Sequence, residues 1–177
     1  CKMWQTSKQR RYVNVNEDGV INVEELQQEI KPSTILISVM TANNEIGTIQ
    51  PIQEIAKIAH NNNIAFHTDA VQAAGKIPLD VSKVRCDTLA IAGHKIHAPK
   101  GVGVLYVRRG TRLPPFVVGG HQERGRRAGT ENVPYIVGLA KACDLAAEHL
   151  PMSGEVARLR DKLEAGLLAS CPDSSVN

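Results

Sequence analysis

Thr34-Ile35-Leu36-Ile37-Ser38-Val39-Met40-Thr41-Ala42 is a continuous apolar and β-branched run, and it decides the fold. Such a run is the signature of a strand covered on both faces, as strands of parallel sheets are. Upstream, Arg11 to Val15 alternates like a strand, and Asp18-Gly19 supplies a turn. Asn22 then caps a short helix expected over Val23 to Ile30, with Glu25 three residues on to close a capping box, and Pro32 ends it. Downstream, Pro51 opens an amphipathic helix to about His60, in which Ile52, Ile55, Ile58 and Ala59 share a face. Ile64 to His67 and Asp87 to Ala92 read as further buried strands, with a short helical or loop stretch between them. Gly101 to Arg108 reads as a strand paired with its predecessor across the Gly93 to Lys100 turn. Two long helices, roughly Val133 to His149 and Gly154 to Ser170, follow. This order predicts an α/β fold, a mostly parallel sheet with flanking helices.

A chain of 177 residues with 42% hydrophobic content is long enough to bury one core. The formal charge of +3 comes from basic residues spread along the chain, apart from clusters at Lys8 to Arg11 and Arg124 to Arg127. That is too little for nucleic-acid binding, and two Phe, three Tyr and one Trp offer no stacking platform for bases. The cysteines at 1, 86, 143 and 171 form no CxxC pair, which argues against a disulfide framework or zinc ribbon and fits reduced thiols in the cytoplasm. No apolar run approaches the ~20 residues of a membrane helix, and the N-terminus lacks the apolar core of a signal peptide. The chain begins at Cys1 and ends on Ser174-Ser175-Val176-Asn177, and it reads as a piece of a longer protein.

In open α/β sheets a ligand sits beyond the carboxyl ends of the strands. Polar residues cluster there: Asn43-Asn44-Glu45, Thr68-Asp69 and Gly93-His94-Lys95. Lys95 follows directly on an apolar strand. In a partly desolvated pocket its pKa would fall, as an amine attacking an aldehyde requires; on position alone the reading of a lysine that starts an exposed loop is favoured. Asp69 could pair with a protonated pyridine nitrogen, or cap a helix beginning near Val71. Gln72, one turn on, could donate to a ring hydroxyl or be an ordinary surface residue.

Four ordered stretches carry a resemblance: Thr41-Ala42-Asn43-Asn44-Glu45-Ile46-Gly47-Thr48-Ile49-Gln50-Pro51-Ile52, His67-Thr68-Asp69-Ala70-Val71-Gln72, Gly93-His94-Lys95-Ile96-His97-Ala98-Pro99-Lys100-Gly101, and Gly119-Gly120-His121-Gln122-Glu123-Arg124-Gly125-Arg126-Arg127-Ala128-Gly129-Thr130. In order and spacing they resemble the cysteine desulfurases, the NifS- and IscS-like branch of class V, fold-type I enzymes that use pyridoxal 5'-phosphate (PLP), over about residues 10 to 170. The resemblance implies the large PLP-binding domain of such enzymes, incomplete at both ends. Residues 1–150 would belong to that domain, and 151–177 would start a helical connection to a C-terminal small domain.

Carried over residue by residue, it makes Lys95 the Schiff-base lysine and proton shuttle. Asp69 would pair with the pyridinium, Asn44 and Gln72 with the ring's phenolic oxygen, and His94 with the phosphate. Thr130 would reach the phosphate of a neighbouring subunit's cofactor, implying a homodimer. The activity implied is removal of sulfur from L-cysteine, giving L-alanine and an enzyme persulfide that feeds a sulfur-acceptor or iron-sulfur scaffold protein. Ala92 stands where many such enzymes have Ser. The ring-stacking histidine and a glycine/threonine phosphate loop are expected before residue 1, and the sulfur-accepting cysteine and carboxylate-binding arginine after residue 177. Residues 1–177 alone are therefore expected to lack desulfurase activity, and Cys171, at a helix end, is expected to be structural. A selenocysteine lyase, another class V aminotransferase, or a non-catalytic scaffold binding a sulfur acceptor are the alternatives.

Asn14 to Glu25 nearly matches a calcium loop, with Gly at its sixth position and Glu at its twelfth. Its first residue is Asn and no entering helix precedes it, so a turn feeding a capped helix explains the same residues. His94 with His97, or His121 with Glu123, lack further ligands at metal spacing, and no metal site is expected. His67 reads as a strand-end histidine with a hydrogen-bond partner. Gly101-Val102-Gly103 lacks the third glycine of a dinucleotide loop. Arg124, Arg126 and Arg127 read as a solvated loop, which the resemblance places near the active-site entrance.

Overall fold

The computed structural model describes residues 10–176, so Cys1 and the Lys8 end of the first basic cluster lie outside the described residues. In chain order the elements are α1 (Val23–Glu29), β1 (Leu36–Met40), α2 (Ile52–Asn61), β2 (Ala65–Asp69), α3 (Val81–Val84), β3 (Thr88–Ala92), a 3-10 turn (Gly93–Ile96), β4 (Gly103–Val107), one irregular turn α4 (Gln122–Gly125), α5 (Val133–His149), a second 3-10 turn (Leu150–Met152) and α6 (Ser153–Ser170). The sheet has four strands in the order β1-β2-β3-β4. β1, β2 and β3 run parallel, and β4 returns antiparallel to β3 from Thr88↔Val107 to Ala92↔Gly103. The α/β reading holds, with one antiparallel edge.

α2 makes the first crossover between parallel strands. Pro51 stands at its N-cap, and Ile52, Ile55, Ala56, Ile58 and Ala59 are buried. Of these, Ile52, Ile55, Ala56 and Ala59 pack in one core with Ile37 of β1, Phe66 of β2 and Leu89 of β3. Each isoleucine so buried contributes about 1.5–3 kcal/mol. Because side chains alternate along a strand, residues two apart share a face. Ile37, Val39, Phe66, Leu89, Ile91 and Tyr106 therefore form the face under the helices. α5 adds to the same side: its Leu139 and Ala142 pack with Ile96 and Ala98, and Ile91 touches this cluster too.

The opposite face carries Leu36, Ser38, Asp69 and Leu105, all exposed, with half-buried His67, Thr88, Ala90 and Ala92. This corrects the expectation that Thr34–Ala42 is covered on both faces: Leu36 is 53% exposed while Ile37 is 6% exposed. Every helix packed on the sheet core within the described residues lies on the Ile37 side, so the run's second apolar set has no cover among the described residues.

The predicted strand at Arg11–Val15 is reduced to a single bridge, Val15↔Ile21. Its polar groups serve a turn and a cap instead. Asn16 Oδ1 accepts from the amides of Asp18 at 3.1 Å and Val20 at 2.8 Å. Gly19 adopts φ 74°, where an added Cβ would lie 2.6 Å from Ile46 Cδ1. The capping box forms by half. Asn22 Oδ1 accepts from Glu25 N–H at 2.9 Å. Glu25 Oε1 takes the Asn14 amide side chain at 2.9 Å, while Asn22 N–H donates to Asn14 C=O at 3.1 Å. Asn16, Asn22 and Glu25 of the calcium-like segment thus spend a side-chain oxygen each on the local turn and cap. α6 buries none of its residues, and Leu159, Leu163 and Leu167 line its open side. No helix among the described residues is long and apolar enough to cross a membrane.

Asp87, at the amino end of β3, ties three elements together. Its Oδ2 accepts from Phe66 N–H at 2.8 Å and lies 3.2 Å from His60 Nε2 of α2, and its Oδ1 pairs with Arg108 beyond β4. Burial pushes the carboxyl's pKa up, but the Phe66 amide, His60 and Arg108 outweigh it, and the net displacement is below the ordinary 3.8. A carboxyl with a depressed folded pKa contributes stability that is complete above its unfolded pKa and lost as pH falls through the folded one. Asp87→Ala is expected to lower the unfolding free energy by about 2–3 kcal/mol at pH 7. In urea unfolding, that deficit should shrink as pH drops below 3.8; a deficit independent of pH would show the carboxylate charge to be irrelevant.

Candidate functional site at the carboxyl edge of the sheet

Parallel pairing sends the carboxyl ends of β1, β2 and β3 to one edge. Met40 pairs with Asp69, and Asp69 with Ala90, in a single row. Beyond that row Thr41 N–H donates to Asp69 C=O at 2.7 Å, and Ala70 N–H to Ala90 C=O at 2.9 Å. The three polar segments singled out in the sequence emerge from there.

Asp69 is the last residue of β2 and is exposed on the uncovered face. Its Oδ1 accepts from Val71 N–H at 2.9 Å, the capping contact anticipated, although turns rather than a helix follow at 71–76. Gln72 is half-buried, and its Oε1 accepts from Lys76 Nζ at 2.6 Å. Asn43 folds inward: its Oδ1 accepts from the amides of Glu45 at 2.8 Å and Ile46 at 3.0 Å. That turn presents Asn44 outward, exposed.

Gly93 leaves β3 into the 3-10 turn carrying His94 and Lys95. Its N–H donates to Val102 C=O at 2.9 Å, and an added Cβ would lie 2.8 Å from that oxygen, so only glycine fits. His97 closes the turn in the left-handed region at φ 68°. Ile96 is buried against α5, while His94 and Lys95 are exposed. This corrects the expectation of a desolvated Lys95: Ile96 packs toward α5, while His94 and Lys95 have no cover among the described residues.

Lys95 borders a cavity of about 600 Å³ between the turn and α5, together with Lys76, His97 and Lys141, over an apolar wall that includes Ala142 and Leu145. Asn44, Asp69 and Gln72 lie outside its lining. His67, one face-mate before Asp69, has Nδ1 2.8 Å from Thr88 Oγ1, the partner expected for it. Burial lowers its pKa below 6.5, and the Asp69 carboxylate opposes that displacement.

Thr130 is exposed in the segment before α5 and shares no hydrogen bond with the other five candidates. Its loop is shaped by Arg127, whose Nη1 donates to Ala128 C=O at 3.1 Å and Gly129 C=O at 2.9 Å. Glu123 and Arg124 hold positive φ of 51° and 60°. Cys171 is the exposed C-cap of α6, a helix that buries none of its residues. No group of three or more His, Cys, Asp or Glu among the described residues is placed to hold a metal ion. A carboxylate, amides, an imidazole and a primary amine at one open edge can instead hold a small polar ring with an anionic arm.

Sequence reasoning missed the buried pair Thr41 and Thr68, whose hydroxyls meet at 2.8 Å beneath this edge. The available signal was a β-branched hydroxyl residue beside the polar end of two consecutive strands.

The aminotransferase class-V family model matches residues 3–172. A cysteine desulfurase of Nostoc sp. is 52% identical over all of this chain and 45% of its own length, so the chain spans under half of that relative. A solved NifS-like protein superposes with a TM-score of 0.86 at 44% identity, covering 90% of this chain and 44% of that one. SspA, solved in complex with cysteine, superposes with a TM-score of 0.69 at 43% identity, over 72% of this chain and 37% of that one. With nearly its whole length inside the family model and the same fold at high identity, this chain belongs to the class-V aminotransferase family.

Proposed function

We propose that the chain is the cofactor-holding part of a cysteine desulfurase, a PLP-dependent transferase that takes sulfur from L-cysteine and leaves L-alanine. The observation that carries the reading is the convergence of Asn44, Asp69, Gln72, His94 and Lys95 on one edge of a parallel sheet. The whole-chain identity to a cysteine desulfurase and the fold shared with a cysteine-bound protein support it.

The residues present fit PLP. Asp69 faces the uncovered side of the sheet beside small Ala90, and only its Oδ1 is engaged, by Val71. Ala92, two residues on, keeps that side low enough for a flat ring. When bound, PLP supplies a carbon that bonds to amines and a ring that draws electron density from the substrate's Cα. Asp69 would hold the ring's N–H. Asn44 would donate to its phenolic oxygen, as would Gln72, whose amide nitrogen is left over once its oxygen takes Lys76. His94 would sit at the phosphate, and Thr130 at the phosphate of a partner copy, making the protein a homodimer.

Lys95 would anchor the cofactor through its amine and then move the proton at the substrate's Cα. A cysteine thiolate outside these residues would attack the substrate sulfur: the sulfur–sulfur bond forms, the carbon–sulfur bond breaks and a proton goes to Cβ. Cysteine plus enzyme thiol thus gives alanine plus enzyme persulfide, passed to a sulfur-acceptor or iron-sulfur scaffold protein. Free Cys86, Cys143 and Cys171 fit work in the reducing cytoplasm.

In the full-length protein with PLP, the lysine-dependent visible absorbance band should disappear in Lys95→Ala, and alanine formation from cysteine should fall about 10²–10⁴-fold. Survival of that band in Lys95→Ala would assign the anchoring amine elsewhere.

A further inference from the structure

Asn44 and Asp69 stand on different strand ends, 25 positions apart in the sequence, and something must hold them in step. The join between them runs through Thr41. Its N–H donates to Asp69 C=O at 2.7 Å, and its C=O accepts from Gln50 N–H at 2.9 Å. Ala42↔Ile49 and the Asn43 N–H to Thr48 C=O bond at 2.9 Å continue that pairing, so the excursion bearing Asn44 is a small hairpin rooted on Thr41. Gln50 and Thr48 fix its far side, the first through Gly19 C=O at 2.8 Å and the second through Asp18 C=O at 2.7 Å.

The remaining tie is the side chain. Thr41 is 2% exposed and Thr68, directly before Asp69, is fully buried; their hydroxyls are 2.8 Å apart on the helix-covered face. Both residues are β-branched and stiff about χ1, so the bond fixes the rotation of each strand end as well as its height. Thr68 pointing down into the core obliges Asp69 to point up onto the open face.

Resting on the PLP reading above, we propose that Thr41 and Thr68 form a positioning pair, a buried hydroxyl clasp that sets the Asn44 hairpin against the Asp69 carboxylate so that both meet one cofactor ring. Neither side chain touches the cofactor. Valine matches threonine in shape and carries a methyl group where threonine has its hydroxyl. A single valine strands the other hydroxyl without a partner in the core and costs stability, whereas changing both removes the mismatch. Stability and positioning can therefore be separated.

The experiment uses the full-length protein and four variants: Thr41→Val, Thr68→Val, the double valine variant and Thr68→Ser. Thermal unfolding without PLP and PLP affinity by absorbance titration are measured for each. The single valine variants should melt lower, and the double variant should recover most of the loss. PLP dissociation constants should rise about ten-fold in both single variants and stay raised in the double variant. Thr68→Ser, which keeps the hydroxyl, should bind PLP as the parent does. A double variant with parental PLP affinity would overturn the clasp while leaving the cofactor site intact. Absence of a Lys95-dependent band in the parent would instead overturn the PLP reading, and this inference with it.

Discussion

Parallel strands cannot be joined by a tight turn, and that constraint organises the molecule. After β1 the chain must return to the sheet's starting edge before β2 can run beside it, and again before β3. α2 makes the first return, and the 70–87 segment with α3 makes the second. The apolar stripe of α2 meets Ile37, Phe66 and Leu89, so helix and sheet bury one another. All three parallel strands then end at one edge, where Asn44, Asp69 and Lys95 follow within a few residues of their strand ends. Chemistry gathers there because the connection rule leaves those ends together.

The sheet is clasped at both ends by different means. At the amino end Asp87 binds β2, α2 and the residue after β4 through charge and hydrogen bonds. At the carboxyl end, Thr41 and Thr68 join β1 to β2 through two neutral hydroxyls. A charged tie suits the end remote from the site, where its field cannot compete with a cofactor's charges. A neutral tie directly under Asp69 leaves the carboxylate free to answer a cationic ring.

Much of this was legible in the sequence because it is local. Pro51 with the Ile52, Ile55, Ile58 spacing specifies α2, and the apolar runs around Phe66 and Leu89 specify two strands whose intervening lengths exclude hairpins. The reach of Asn44, Asp69 and Lys95 to one edge followed from strand order. What a continuous apolar run such as Thr34–Ala42 cannot encode is who covers its second face, and here Leu36 is open. Lys95 was expected in a desolvated pocket for the same reason: burial of a strand end depends on packing from outside its neighbourhood. The alternation at Arg11–Val15 resembles a strand until the cap of α1 claims its polar groups. The Thr41–Thr68 clasp was invisible because each residue alone is an ordinary strand residue, and only the pairing of strands 27 positions apart makes them partners. The roles assigned to single residues came from motif resemblance, since spacing alone allowed a solvated lysine and a capping aspartate.

The central claim is that Lys95, and no neighbouring amine, carries the cofactor. Borohydride reduction of the PLP-loaded full-length protein, followed by peptide mass mapping, tests it directly because Lys76 and Lys141 border the same cavity and Lys100 follows on the same loop. One phosphopyridoxyl group per chain on the peptide at Lys95 is the predicted result. The same mass found on Lys76, Lys100 or Lys141, with Lys95 unmodified, would contradict it.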